Sequence, residues 1–189
     1  VPGPRADVVA FVGGGDNGGD ALYACATLAD MGVSVAAILL KCKRHSRALR
    51  AATASGVTIV DLKGDSISTV LDSPQLSLVV FAKVWIDGIV GIGGKGALRG
   101  NLAEAVERLN EYSILMRPAI VSIDVPSGLT DDEGSVKGAV MRATHTMAVG
   151  SFKRAQILPP AAQYCGALEL IEMEWTGLVG LTPVDTEET

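Results

Sequence analysis

The sequence predicts a Rossmann-like, doubly wound α/β fold: a mainly parallel sheet with helices on both faces, in three αβα layers. Short apolar runs alternate with segments of helical spacing, and the first run stops abruptly at a glycine cluster. Three of the runs also end in loops that combine glycine with acidic, amide or hydroxyl side chains.

The elements follow in order. Val8 to Val12 is a continuous apolar run, as expected of a strand buried on both faces of a parallel sheet. Helical spacing takes over at Leu22, Cys25, Ala26 and Ala29, and Gly32 ends it. A second strand is predicted over Val33 to Leu40, a helix over His45 to Ala54, a third strand over Val57 to Val60 and a short helix near Ser66 to Leu71. Leu76 to Ile86 reads as the fourth strand, Asn101 to Tyr112 as an amphipathic helix carrying Leu102, Val106 and Leu109, and Ala119 to Ile123 as the fifth strand. Thr144 to Val149 and Ala167 to Ile171, joined through Pro159 and Pro160, are expected as strands added at one edge.

With 189 residues, 48% of them hydrophobic, the chain can bury one sizeable core. One domain is predicted over residues 1–181, followed by a polar, acidic tail at 182–189. A net charge of -5 and a pI near 5.0 give no electrostatic footprint for nucleic acid, the one short basic cluster being Lys41 to Arg44. No apolar run approaches the roughly 20 residues of a membrane-spanning helix, and the first residues lack a signal-peptide pattern, so a cytoplasmic protein without a membrane partner is expected. Cys25, Cys42 and Cys165 form no CxxC pair and are expected as free, partly buried thiols. Neither His45 nor His145 has metal-like partner spacing.

In open α/β sheets ligands bind beyond the carboxyl ends of the strands, so the three unusual loops mark the candidate site. The first, Gly13 to Asp20, joins strand one to its helix, where bare backbone can approach a ligand. It contains GxGxxG, yet the second strand ends in Leu40-Lys41-Cys42-Lys43 and lacks the acid that a dinucleotide-binding dehydrogenase places there. Asp16, Asn17 and Asp20 supply oxygens that suit a hard cation better than a pyrophosphate, and a plain glycine turn with an Asp or Asn cap is the simpler alternative. The second loop, Ile86 to Gly100, holds six glycines together with Asp87, Lys95 and Arg99. The two basic residues suit phosphate or are solvated loop charges. The third, Ser122 to Leu129, presents Asp124, Pro126 and Ser127, and Asp124 is the best general acid/base candidate, bracing of the turn being its other reading.

Together the loops GGGDNGGDA, IDGIVGIGGKGALRG and IDVPSG resemble those of the YjeF N-terminal domain family, the NAD(P)HX epimerases. The family pattern is approximately GxGNNGGDG, then VDxxxGxG with LRG, then DxPSG. The resemblance runs from about Val8 to Trp175 and includes a TxxxGxxK-like stretch from Thr146 to Lys153. Asp16 stands where the commoner family loop has Asn, and Ala21 replaces a Gly.

The resemblance implies an isomerase that interconverts the R and S epimers of hydrated NADH and NADPH, so that a dehydratase can restore the reduced nucleotide. It implies substrate contacts at Asp16, Asn17, Gly18, Gly19 and Asp20, at Gly91, Ile92, Gly93, Gly94, Lys95, Gly96 and Ala97, and at Asp124. It further implies one potassium ion per subunit, held by Asn17, Asp87 and Ser127, with Asp124 as the catalytic acid/base. A homodimer, and fusion to or cooperation with an ADP- or ATP-dependent dehydratase, are the implied assemblies. The alternatives are a non-catalytic nucleotide- or protein-binding module of the same fold and an NAD(P)-dependent oxidoreductase.

Overall fold

The computed structural model describes residues 3–41, 46–91, 93, 96–129 and 134–172. Cys42, His45, the 182–189 tail and the loop residues Ile92, Gly94 and Lys95 lie outside the described residues.

Seven strands form one sheet, parallel throughout, in the order β3-β2-β1-β4-β5-β6-β7. They are β1 (Val8–Val12), β2 (Val35–Leu39), β3 (Thr58–Asp61), β4 (Val84–Gly88), β5 (Ala119–Ile123), β6 (His145–Val149) and β7 (Ala167–Ile171). The helices are α1 (Asp16–Asp30), α2 (Ser46–Ala54), α3 (Ser68–Leu71), α4 (Leu76–Val80), α5 (Asn101–Met116) and α6 (Arg154–Ile157). The predicted doubly wound sheet is present, with β6 and β7 added at one edge as expected.

Strand alternation sends side chains to two cores. Val9 and Phe11 of β1, Ala36 and Ile38 of β2 and Trp85 of β4 pack with Val70, Leu78, Val106 and Leu109 from α3, α4 and α5. Val8, Ala10 and Val12, with Val35, Ala37 and Leu39, pack on the other face with Leu22, Cys25 and Ala26 of α1 and Ala48 and Ala52 of α2. Phe11 and Trp85 meet edge to face, their centroids 5.5 Å apart. Both central strands are thus covered twice, which explains why β1 reads as an unbroken apolar run. Cys25 and Cys165 are free and buried, and burial pushes their thiols up to about 12 and about 11.

Two elements differ from the sequence expectation. The apolar run Leu76 to Ile86 is two elements: Leu76–Val80 is a helix, and the strand starts only at Val84. Ser73 lies in the turn before the helix, its hydroxyl accepting from the Gln75 N–H at 3.2 Å and its carbonyl from the Leu76 N–H at 3.0 Å. The Trp85 indole N–H then donates to the Val79 carbonyl at 3.1 Å and folds the two pieces against each other. The other difference is α5, which continues a turn past its apolar stripe to Met116, leaving Ile114 and Leu115 exposed before Arg117 ends it in a left-handed conformation.

From β1 the chain winds outward through β2 to β3 on one side, then crosses back to place β4 on the other side of β1, and this reversal of strand order opens a crevice at the carboxyl ends of β1 and β4. The Gly13 N–H donates to the Gly88 carbonyl at 3.0 Å, and a Cβ at Gly13 would lie 1.7 Å from the Ile89 carbonyl oxygen. Gly13→Ala is therefore expected to lower the unfolding free energy by about 1–3 kcal/mol in a denaturant titration. Gly15→Ala, whose Cβ meets nothing within 4 Å, is expected to stay within about 0.5 kcal/mol of wild type. Equal shifts for the two would remove close packing of the strand-end loops as the cause.

Candidate functional site

The three loops singled out by sequence meet at this crevice because their strands are neighbours, β1 beside β4 and β4 beside β5. The first loop is shorter than expected: α1 already begins at Asp16, so Asp16 to Asp20 occupy its first turns, with Asn17 and Gly18 buried and Asp16 and Asp20 exposed. Placing Asn17 on the helix aims its carboxamide across the crevice. Its Nδ2 donates to the Ile123 carbonyl at the end of β5, at 2.7 Å. A Cβ at Gly91 would lie 2.9 Å from its Oδ1, and a Cβ at Gly88 would lie 3.0 Å from its backbone oxygen. The carboxamide thus links the first loop to the third and lies against Gly91 of the second, while Gly88 makes room for the backbone of α1.

Asp87 is fully buried in the centre of the sheet. Its Oδ2 accepts from the Ser122 hydroxyl at 2.7 Å and the Ser127 N–H at 2.8 Å. Its Oδ1 accepts from the Ser127 hydroxyl at 2.5 Å and the Ile89 N–H at 3.3 Å. Burial raises its carboxyl above the ordinary value of 3.8, and the bonds from Ser127, Ser122 and Ile89 only partly oppose this. All four donors are neutral, so the charge of this carboxylate is solvated by dipoles alone. Ser127 is buried too, and its hydroxyl also accepts from the Val90 N–H at 2.9 Å.

Carboxylate, carboxamide and hydroxyl oxygens of this kind fit a hard cation. A buried anion met only by neutral groups is the feature that such an ion would complement. Among the described residues no three His, Cys, Asp or Glu side chains cluster as a metal site; Asn17, Asp87 and Ser127 bring carboxamide, carboxylate and hydroxyl oxygens to these strand ends.

Asp124 follows β5 with φ +63°, a left-handed conformation uncommon outside glycine. Its N–H donates to the Met147 carbonyl at 2.9 Å, and its own carbonyl accepts from the Gln156 side chain at 2.5 Å. Its Oδ1 accepts from the Val149 N–H at 3.3 Å and forms an ion pair with the Lys153 ammonium. The two side chains keep 15% and 13% of their surface exposed, so this carboxylate, unlike that of Asp87, remains open to solvent. Its neighbour Ile123 carries the carbonyl that Asn17 reaches.

Lys153 is the site residue the sequence reading missed as a candidate; its signal was the TxxxGxxK-like stretch, which puts a lysine just past the end of β6. In the second loop, Gly91 stands against Asn17, Gly93 and Gly96 are exposed and Ala97 is half-buried, while Arg99 is exposed. His145 is exposed, its Nδ1 3.0 Å from the Thr144 hydroxyl, as expected of a histidine outside the site. No described helix is long and apolar enough to cross a membrane.

Fold and crevice define a doubly wound α/β protein whose three distinctive strand-end loops meet at the topological switch point. Comparison with known proteins makes this specific: the chain belongs to the family described as YjeF-related protein N-terminus, which matches residues 3–155. It is 34% identical over 168 residues to the NAD(P)H-hydrate epimerase of Microbacterium testaceum, covering 88% of this chain and 61% of that protein. It is also 34% identical to the NAD(P)H-hydrate epimerase of Clavibacter michiganensis over 96% of this chain and 78% of that one. The bifunctional NAD(P)H-hydrate repair enzyme Nnr of Mycobacterium tuberculosis is 34% identical over 88% of this chain, which spans 30% of the length of that enzyme. The crystal structure of yeast ynu0, YNL200c, shares the fold, with a TM-score of 0.69 at 19% identity over 97% of this chain and 75% of that one.

Removing the Ser127 hydroxyl leaves Asp87 Oδ1 and the Val90 N–H each short of a partner. Ser127→Ala is expected to cost about 1–3 kcal/mol of unfolding free energy, read by denaturant titration against wild type. A cost near zero would show that the hydroxyl does not hold the two loops together.

Proposed function

We propose that the chain is an NAD(P)H-hydrate epimerase domain, which interconverts the R and S forms of hydrated NADH or NADPH in nicotinamide nucleotide repair. The observation that carries this reading is the joining of all three family loops around the Asn17 carboxamide, with Asp124, largely buried but still reached by solvent, beside it. The 34% identity to proteins named NAD(P)H-hydrate epimerase supports it.

The substrate's stereocentre is a carbon bearing both a hydroxyl and the ring nitrogen, so its configuration is lost when either bond opens. In the ring-opening route the Asp124 carboxylate takes the hydroxyl proton and passes it to the ring nitrogen as a carbonyl forms and the carbon–nitrogen electron pair returns to nitrogen. Reclosure on the opposite face reverses the transfer, Asp124 carrying the proton from nitrogen back to the new hydroxyl. Asp16, Asn17, Gly18, Gly19 and Asp20, with Gly91 to Ala97, hold the nucleotide in this proposal, the amides at the start of α1 facing its anionic groups. Potassium is the cation proposed for Asn17, Asp87 and Ser127, where it supplies the positive charge that the neutral donors to Asp87 lack. A dehydratase that consumes one epimer is the partner activity, in keeping with the bifunctional repair enzymes among the relatives.

Resolved R-NADHX incubated with the protein is expected to reach the epimer mixture faster than a no-protein blank, followed by chromatography. Asp124→Asn is expected to slow this by roughly 10²–10⁴-fold. A wild-type rate equal to the blank would favour a binding module instead, and hydride transfer from NADH or NADPH would favour an oxidoreductase.

Replacing potassium with tetramethylammonium is expected to lower unfolding free energy by roughly 1–3 kcal/mol if the ion is near saturation. Asn17→Ala is expected to remove that dependence. A cation effect unchanged in Asn17→Ala would place the ion elsewhere.

A further inference from the structure

We infer that Lys153 and Gln156 are positioning residues that present one oxygen of Asp124, Oδ2, to the substrate; this rests on the reading of Asp124 as the proton carrier. Lys63, Arg117 and Asp124 are the described non-glycine residues at positive φ, and Asp124 alone of them directly follows a central strand. A conformation of this kind persists where surrounding contacts over-determine it.

Those contacts all come from the segment that follows β5 in the sheet, residues 147–156. The Met147 carbonyl and the Gln156 side chain hold the Asp124 backbone from both sides. Gln156 is buried, with 1% of its surface exposed, and its carboxamide serves both halves of the ion pair. Its Nε2 donates to the Asp124 carbonyl at 2.5 Å, and its Oε1 accepts from the Lys153 N–H at 2.6 Å. The Lys153 ammonium is fixed in turn by the Val149 carbonyl at 2.8 Å. With the backbone already held by Met147 and Gln156, the lysine contributes at the carboxylate itself.

Among the described residues, the bonds to that carboxylate fall on Oδ1, from the Val149 N–H and the Lys153 ammonium. Oδ2 is thereby the oxygen left for proton exchange. The ammonium restrains rotation of the carboxylate and offsets its charge when the proton leaves. A residue acting in this way changes turnover and leaves substrate affinity alone.

The test is steady-state epimer exchange by the full chain. Lys153→Met is expected to lower kcat on the order of ten- to a hundred-fold with KM little changed, and Lys153→Arg to recover part of the loss. Because Lys153 acts through Asp124, Lys153→Met combined with Asp124→Asn is expected to be no slower than Asp124→Asn alone. Gln156→Met is expected to reproduce the kcat loss and provides the readout if Lys153→Met does not fold, as checked by circular dichroism. Folded variants with wild-type kcat, or a raised KM at unchanged kcat, would overturn the inference. A wild-type rate equal to the blank would sink the epimerase reading and this inference with it, whereas an active wild type with indifferent variants sinks this one alone.

Discussion

The buried carboxylate of Asp87 is the constraint on which the rest of the crevice depends. It lies in β4, flanked by β1 and β5, where water cannot reach it, so the protein must supply its solvation. Ser122 does so from β5, Ile89 from Asp87's own loop, and Ser127 from the loop after β5 with both its hydroxyl and its N–H. Satisfying one anion thus fixes where the third loop turns back toward β4. Asp124 sits three residues before Ser127, in the loop that those bonds anchor, and is itself held by Met147 and Gln156. An apolar residue at position 87 would avoid the burial cost of the charge, but it would also release the loop that the charge organises.

Glycine is the second requirement, and it operates at particular contacts rather than throughout the loops. Gly13 must pass against the Ile89 carbonyl, Gly88 against Ala21 and the Asn17 backbone, and Gly91 against the Asn17 carboxamide. Each is a place where two strand-end segments approach too closely for a side chain. The helix start at Asp16 has the same origin: tight passage at Gly13 and Gly14 turns the chain early, bringing Asn17 within reach of β5.

Most of the sheet was legible because β1, β2 and β5 are short apolar runs closed by Gly13, Lys41 and Asp124, and their boundaries fall within two residues of those predicted. Leu76 to Ile86 misled because a short apolar run carries no usable periodicity; the break falls at Phe81 to Lys83, and the Trp85 indole bond that packs the two pieces together is a tertiary contact. The length of α5 was hidden for the opposite reason. Its last turn exposes Ile114 and Leu115, so no apolar stripe marks it. At the site, sequence could nominate Asp87, Asp124 and Ser127 by their loops. It could not show that Ser127 bonds Asp87 directly, or that Lys153, 29 positions after Asp124, pairs with it. Such pairings are set by strand order, and β6 reaches Asp124 only because it lies beside β5.

Two carboxylates at the ends of neighbouring strands thereby acquire opposite environments. Asp87 is wholly buried, bonded to neutral donors and displaced toward its protonated form by burial. Asp124 keeps part of its side chain in reach of solvent and faces a cation. A group exchanging protons with a substrate needs access and a charge partner that tolerates both of its states, which describes Asp124 and not Asp87. A group that holds loops or an ion together needs fixed geometry and insulation from solvent, which describes Asp87. When two acids in one crevice are separated in this way by their surroundings, the environment itself divides the labour between them, even though in sequence each is only an aspartate at a strand end.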